Sequence, residues 1–341
     1  MVHGNAQAAA IVEQAATYQK VIAWTWIPMV ISFSISSSLR ETGEVKVPLI
    51  ISVVATLINT FGNYIFIYGN FGAPRLEVTG AAIATIIARV VEMITFIIYI
   101  NFKKPSFYSR VKDIFKVKPS LTGTIIKKSV MIAVSEMTWV LSETVSTALY
   151  NSRGGAEIVS GMSAGFTIAN LFFVSFSGIF TATGVIMGST LGAGKLDEAR
   201  EQKSWILNGT IVFGVFFGLL GCLSTLLIPI VFANLSDEAR AVARGLVFTA
   251  AAYMPVWCYC NGQFAVSRTG GDTMMGVIVD LTANFLLFLP GMFIMTYFTD
   301  WNPIMMYAIV KLSDVEKIIV AAIWLKKERW LKNLAKENAV N

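Results

Sequence analysis

Residues 47–69 read "VPLIISVVATLINTFGNYIFIYG", and stretches like it recur from end to end of this 341-residue chain. A helix rises about 1.5 Å per residue, so a run of ~20 apolar residues crosses a hydrocarbon core of roughly 30 Å. Inside lipid every backbone N–H and C=O must be satisfied within the protein, which leaves helices and closed barrels. Barrel strands run to about 10 residues and alternate polar with apolar side chains, and runs this long and uninterrupted do not fit them. The reading is an all-α, polytopic membrane helix bundle. Composition agrees, with 14% charged and 55% hydrophobic residues, against roughly a quarter charged in a soluble domain.

Nine membrane segments are expected, near 16–38, 47–68, 79–101, 124–150, 158–188, 204–232, 243–265, 273–297 and 303–325. Pro28, Pro229, Pro255 and Pro290 fall inside or near the ends of these helices, where a missing N–H permits a kink. The net charge of +6 does not point to nucleic acid, because the basic residues collect in loops. Lys103, Lys104, Arg110, Lys112, Lys116, Lys118, Lys127 and Lys128 share 102–128 with the single acid Asp113, and Lys326, Lys327, Arg329, Lys332 and Lys336 follow the last segment. Cytoplasmic loops of membrane proteins carry such an excess, so both regions are assigned inside. Parity then puts 39–46, 189–203 and 266–272 inside, and 69–78, 151–157, 233–242 and 298–302 outside. The first helix starts outside, an awkward topology for a chain with no signal peptide at its N-terminus.

Cys222, Cys258 and Cys260 all lie in apolar runs and the one histidine is His3, so no metal site or disulfide framework is expected. "GSTLGAGKL" (188–196) has five residues between Gly188 and Gly194, lacks Ser or Thr after Lys195, and follows a helix; it is not a phosphate loop. Gly184, Gly188 and Gly192 instead suggest a smooth stripe for close helix packing. With no nucleotide loop or nucleophile constellation, the chain is read as a non-enzyme without a cofactor.

"RETGE" (40–44) and "RTGGD" (268–272) align without a gap at an offset of 228, Pro28 meets Pro255 at 227, and "VVEMI" around Glu92 meets "DVEKI" around Glu316 at 224. The first three segments therefore repeat the last three in parallel orientation, a plan used by secondary transporters. The fourth to sixth have no upstream copy. By the same offset, about 100 further residues forming three helices are expected before Met1, which would also resolve the awkward topology. The domain reading is a partial N-lobe (1–101), a basic cytoplasmic linker (102–128), a six-helix C-lobe (124–325) and a basic tail (326–341).

Residues 37–92, from "SSLRETGEVKVPLI" to "ATIIARVVE", resemble the first lobe of the MATE (multidrug and toxin extrusion) family. "SVMIAVSEMTWVLSETVSTALY", "SRTGGDTMMGVIVD" and "DVEKIIVAAIWLKKERWLKN" resemble its second lobe, closest to the bacterial branch. The resemblance covers nearly the whole chain and departs from the family in lacking three helices. It implies a two-lobed antiporter of the cytoplasmic (inner) membrane, in which Na⁺ or H⁺ entry drives export of amphipathic organic cations. A monomer in the bilayer is the expected unit. The alternatives are a non-transporting fragment and a lipid-linked oligosaccharide flippase.

Acids at membrane depth are costly and are functional suspects by default. Glu136 and Glu143 lie seven residues apart on one helix, about 10 Å along its axis and near one face. Both, with Asp280, are candidates for cation coupling, since a deep carboxylate holds a proton or binds Na⁺ through oxygen. A structural hydrogen bond is the other reading for the two glutamates, and pairing with a loop arginine such as Arg268 for Asp280. The resemblance implies a cation-binding acid on this helix, as in some members of the family, with Glu136 the closer positional match. An acid on the seventh segment, a second family determinant, is absent from 245–265. Asn170, Asn261 and Asn284 are candidate polar cavity groups. Tyr253 and Trp257 are candidate cavity aromatics, with Tyr150, Phe166, Phe172, Phe173, Phe176 and Met254, because rings attract organic cations. Arg89 with Glu92, and Glu316 with Lys317, are read as ion pairs that gate or lock the inner face, and Lys311 with Asp314 as a further pair.

Overall fold

The computed structural model describes residues 6–110, 113, 119–152 and 155–332, and among these every regular element is helical. His3, Lys112, Lys116, Lys118 and Lys336 lie outside the described residues. The chain divides into two compact units, Met1–Lys116 and Val117–Asn341.

The first unit comprises α1 (Ala6–Ile22), α2 (Trp26–Glu41), α3 (Lys46–Tyr68) and α4 (Glu77–Lys103). A 3₁₀ turn at Ala23–Thr25 joins α1 to α2. Pro28 sits in the first turn of α2 just beyond it, where its missing N–H costs no helical bond. The helix α3 packs along α4, so closely that a Cβ added at Gly80 would collide with the Phe66 carbonyl group. Leu39, Ile51 and Phe96 form the buried apolar centre.

The second unit comprises α5 (Pro119–Ser152), α6 (Ala156–Phe173), α7 (Ser175–Gly192), α8 (Leu196–Ser224), α9 (Ile228–Val231), α10 (Asp237–Thr269), α11 (Met274–Thr282), α12 (Leu289–Phe298), α13 (Pro303–Val310) and α14 (Ser313–Leu325). The axis of the unit is α10, which contacts α6, α7, α8 and α14. Gly214 and Gly218 of α8 admit it: a Cβ on either would lie 2.6 Å from Pro255 Cα or 2.7 Å from the Ala251 carbonyl oxygen. At Gly188 and Gly192 the stripe expected on α7 meets no close neighbour. A Cβ at Gly188 would meet Thr269 at an ordinary 3.8 Å, and one at Gly192 would meet nothing within 4 Å. The smooth face belongs to α8.

Seven of the nine expected segments are helices long and apolar enough to span a membrane, among the described residues. The other two are α5, which carries Lys127, Lys128, Glu136 and Glu143, and α13–α14, which breaks after Val310. Two more prolines mark changes of helical pitch. Pro229 follows a 3₁₀ turn at Thr225–Leu227, and Pro290 follows a π-helical turn at Ala283–Phe288. A proline cannot donate to the fourth carbonyl behind it, so the ladder shifts register there.

The repeated turns match bond for bond. Gly43 N–H donates to Arg40 and Glu44 N–H to Leu39, while Gly271 N–H donates to Arg268 and Asp272 N–H to Ser267. Gly43 and Gly271 have φ of +89° and +79°, the left-handed region open to glycine. The acid after each turn accepts from an aromatic group of the third helix of its unit's repeat: Tyr99 Oη to Glu44 at 2.7 Å and Trp324 Nε1 to Asp272 at 2.8 Å.

Candidate functional site

In the second unit a cavity of about 540 Å³ opens among α5, α6, α7, α10, the π-turn, α13 and α14. Glu136 and Glu143 both line it, as their heptad spacing on α5 requires. Asn170 enters from α6, Trp257 and Asn261 from α10, and Asp280 and Asn284 from α11 and the π-turn. Tyr253 is not among the lining residues; its hydroxyl donates to the Ala308 carbonyl at 2.7 Å, and its ring stacks on Trp257. Phe166, Phe173 and Phe176 reach the cavity, whereas Tyr150, Phe172 and Met254 pack in apolar clusters.

Each candidate acid meets a cation from another element. Glu136 accepts from Arg268 Nη2 at 2.9 Å. Glu143 accepts from Lys311 Nζ. Asp280 accepts from Lys317 Nζ at 3.3 Å and from the Ser135 hydroxyl. The expected Asp280–Arg268 pair is therefore replaced, with each group taking a nearer partner. Lys317 also lies 3.6 Å from Asp314, which accepts from Trp257 Nε1 at 2.8 Å. The expected Glu316–Lys317 pair does not form, because adjacent residues on a helix point about 100° apart. Lys311 and Asp314 form no side-chain ion pair among the described residues. The Asp314 N–H donates to the Lys311 carbonyl at 3.0 Å, but the Lys311 ammonium goes to Glu143 and the Asp314 carboxylate to Trp257 and Lys317. Arg89 and Glu92 do pair, at 2.5 Å, in the first unit, where Glu92 also accepts from Ser52 at 3.0 Å.

Three features had no clear signal in the sequence. Arg268, Lys311 and Lys317 bring three cations into the cavity beside its four acids. Ser135 reaches Asp280 across 145 residues. The π-turn buries Asn284 to 2% exposure and leaves its Nδ2 without an acceptor among the described residues; Pro290, six residues on, was the one hint. Such turns cluster at functional sites. Arg268 lies between the rings of Phe180 and Phe264, at 5.2 and 5.7 Å, and Lys311 lies near Trp257, Phe288 and Tyr307, at 5.9, 4.8 and 5.5 Å.

The loops sort to two ends. Glu157 accepts from Ser236 at one, joining two segments assigned outside. At the other, Arg200 forms two bonds to Glu328, at 2.9 and 2.8 Å, and the fully buried Trp330 lies against Gly270. In the first unit a polar ladder runs along α3 and α4: Asn59 donates to Thr85 at 3.1 Å and Asn63 to Asn59 at 3.2 Å.

The probable multidrug resistance protein NorM of Thermotoga maritima is 28% identical over 212 residues, which cover 62% of this chain and 45% of that protein. The probable multidrug resistance protein YoeA of Bacillus subtilis is 22% identical over 297 residues, 85% of this chain and 62% of its own length. The chain thus spans about half to two thirds of the curated relatives it matches. Among solved structures, a crystal structure of MATE in the straight conformation superposes with a TM-score of 0.79 at 16% identity, covering 93% of this chain and 70% of that one. The outward-facing conformation of a multidrug resistance MATE family transporter superposes at 0.76 and 18% identity, covering 93% and 70%. The MatE family model matches residues 2–65 and 132–294, more than half of the sequence: the chain belongs to the MatE family.

Proposed function

We propose that this polytopic membrane protein is a secondary transporter of the cytoplasmic membrane, exporting amphipathic aromatic compounds through the cavity of its second unit, with Na⁺ or H⁺ as the coupling ion. The observation that carries this reading is Glu136, a cavity-lining carboxylate with 55% side-chain exposure held by one ion pair to Arg268. A cationic group on a substrate and an incoming Na⁺ or H⁺ compete for that one charge, which is the thermodynamic core of antiport. Glu143 and Asp280, the other two candidates, are matched to lysines with 9% side-chain exposure and are assigned to holding the helices together. Asn170, Trp257 and Asn261 supply the polar and aromatic walls. The Arg89–Glu92 pair belongs to the first unit and is proposed to brace α4.

Support comes from the multidrug-resistance names of the relatives and from the aromatic lining around the acids, which suits a flat, charged compound. A flippase for an anionic lipid-linked sugar calls for unpaired cations, and the three cavity cations here are all paired. The test is reconstitution of the chain in liposomes with a Na⁺ or proton gradient and a fluorescent amphiphile inside. Gradient-dependent loss of dye is expected, and Glu136→Gln should remove it. A chain that moves no dye under either gradient would stand as a non-transporting fragment.

A further inference from the structure

Leu312, Val315, Ile319 and Ile323 are all exposed and follow one another along α14 at steps of three and four residues. That spacing puts them on one face of the helix. In a chain that crosses the membrane repeatedly, such a stripe faces acyl chains. The next position in the series is Lys326, three residues beyond Ile323 and still helical in its backbone. The stripe thus ends on a cation, at the depth where lipid chains give way to headgroups.

The turn that follows is built, not trailing. The N–H groups of Lys327, Glu328, Leu331 and Lys332 donate to the carbonyls of Trp324, Leu325, Glu328 and Trp330, at 3.0, 3.2, 3.0 and 3.0 Å. The fully buried Trp330 anchors it to the apolar core of the second unit. Lys326, Lys327, Arg329 and Lys332 are left exposed on its surface. Lys327 and Arg329 lie over the ring of Trp324, at 5.4 and 5.1 Å, and the indole N–H of that ring is fixed on Asp272. Ring contacts orient the two cations but use none of their N–H donors on an acceptor.

Carboxylates do not neutralise this cluster. Glu328, the one acid in the turn, is spent on two bonds to Arg200. None of the four basic side chains has an ion-pair partner among the described residues, whereas Lys195 and Arg200 at the same end do. A fixed backbone holds these like charges together, so their repulsion persists until an anion is bound. The stripe beneath them indicates that the anion arrives with acyl chains attached.

We propose that the turn after α14 binds the phosphate of an anionic phospholipid whose chains lie along the Leu312–Ile323 stripe. Arg329 supplies the forked donors suited to a phosphate, and Lys326 and Lys327 supply point charges. The site is separate from the cavity and does not depend on what the cavity carries.

The test is native mass spectrometry of the full chain, released from a neutral maltoside detergent with equal amounts of dioleoyl phosphatidylglycerol and dioleoyl phosphatidylcholine. The two lipids share their chains and differ in headgroup charge. The phosphatidylglycerol adduct is expected to exceed the other by about fivefold or more, the gain that one cation near a membrane surface supplies. Lys326→Gln, Lys327→Gln and Arg329→Gln together should abolish that preference. Lys46→Gln, Lys103→Gln and Lys104→Gln together, which remove the same charge from exposed positions of the first unit, should leave it intact. All six side chains are exposed, so neither variant opens the core. Glycerophosphoglycerol, the headgroup without chains, should fail to displace the lipid. Equal retention of the two lipids overturns the proposal. So does an equal loss of preference in both triple variants, which would be the effect of net charge alone. Displacement by the chainless headgroup would make this a site for soluble phosphates and overturn the lipid assignment.

Discussion

The ammonium of Lys317 lies 3.3 Å from the carboxylate of Asp280, and the two side chains are 9% and 7% exposed. They tie α14 to α11 in the second unit, with Ser135 of α5 bonded to the same carboxylate. Charges this deep are tolerated only in company, and removing one partner commonly costs about 3–5 kcal/mol. Lys317→Met should therefore lower the melting temperature sharply in detergent. Lys317→Met combined with Asp280→Asn should recover only part of the loss, because Asp314, 3.6 Å from the same ammonium, keeps its buried charge. A single variant as stable as the parent would mean that the pair is not a structural lock.

The close approach of α8 to α10 predicts a contrast between two glycines. Gly214→Ala sets a Cβ 2.6 Å from Pro255 Cα, a backbone atom that cannot move aside. Overpacking of this kind costs about 1–3 kcal/mol. Gly188→Ala meets only an ordinary contact at 3.8 Å and should leave the melting temperature unchanged. Thermal unfolding of the two variants side by side reads the difference.

The segment after α14 should loosen in acid. Hydrogen bonds from Arg200 hold the Glu328 carboxyl below its ordinary range. A depressed carboxylate contributes its stabilisation above its unfolded pKa, about 4.3, and loses it as pH falls through the lower folded value. Because both groups are well exposed, with 47% and 40% side-chain exposure, the effect is local. Protease cleavage between Leu325 and Lys332 should rise as pH falls below about 4, and Glu328→Gln should show the same cleavage rate at every pH.

The spans and the repeat were legible because both are written in local order. An apolar run declares a membrane helix by length alone, and the RETGE and RTGGD turns carry the glycine that their backbone requires. The partners of the charges were not legible, because they depend on how each helix is rotated about its own axis. Arg268 finds Glu136 across 132 residues and Lys311 finds Glu143 across 168, separations at which no spacing rule operates. Of the three pairs expected from short spacing, Arg89 and Glu92 formed and two did not: Glu316 and Lys317 are adjacent and diverge, and the Lys311 and Asp314 side chains are taken by Glu143 and Lys317. The α7 glycines failed similarly, since a four-residue spacing marks a smooth stripe without saying which helix, if any, lies against it.

The most direct test of the account is the dissociation constant of rhodamine 123, a fluorescent aromatic cation, measured on the full chain across Na⁺ concentration and pH. Competition for Glu136 predicts a constant that rises in proportion to Na⁺ or to H⁺ in the parent protein. In Glu136→Gln it should be weaker and flat against both. A parent protein whose affinity responds to neither ion would contradict the account.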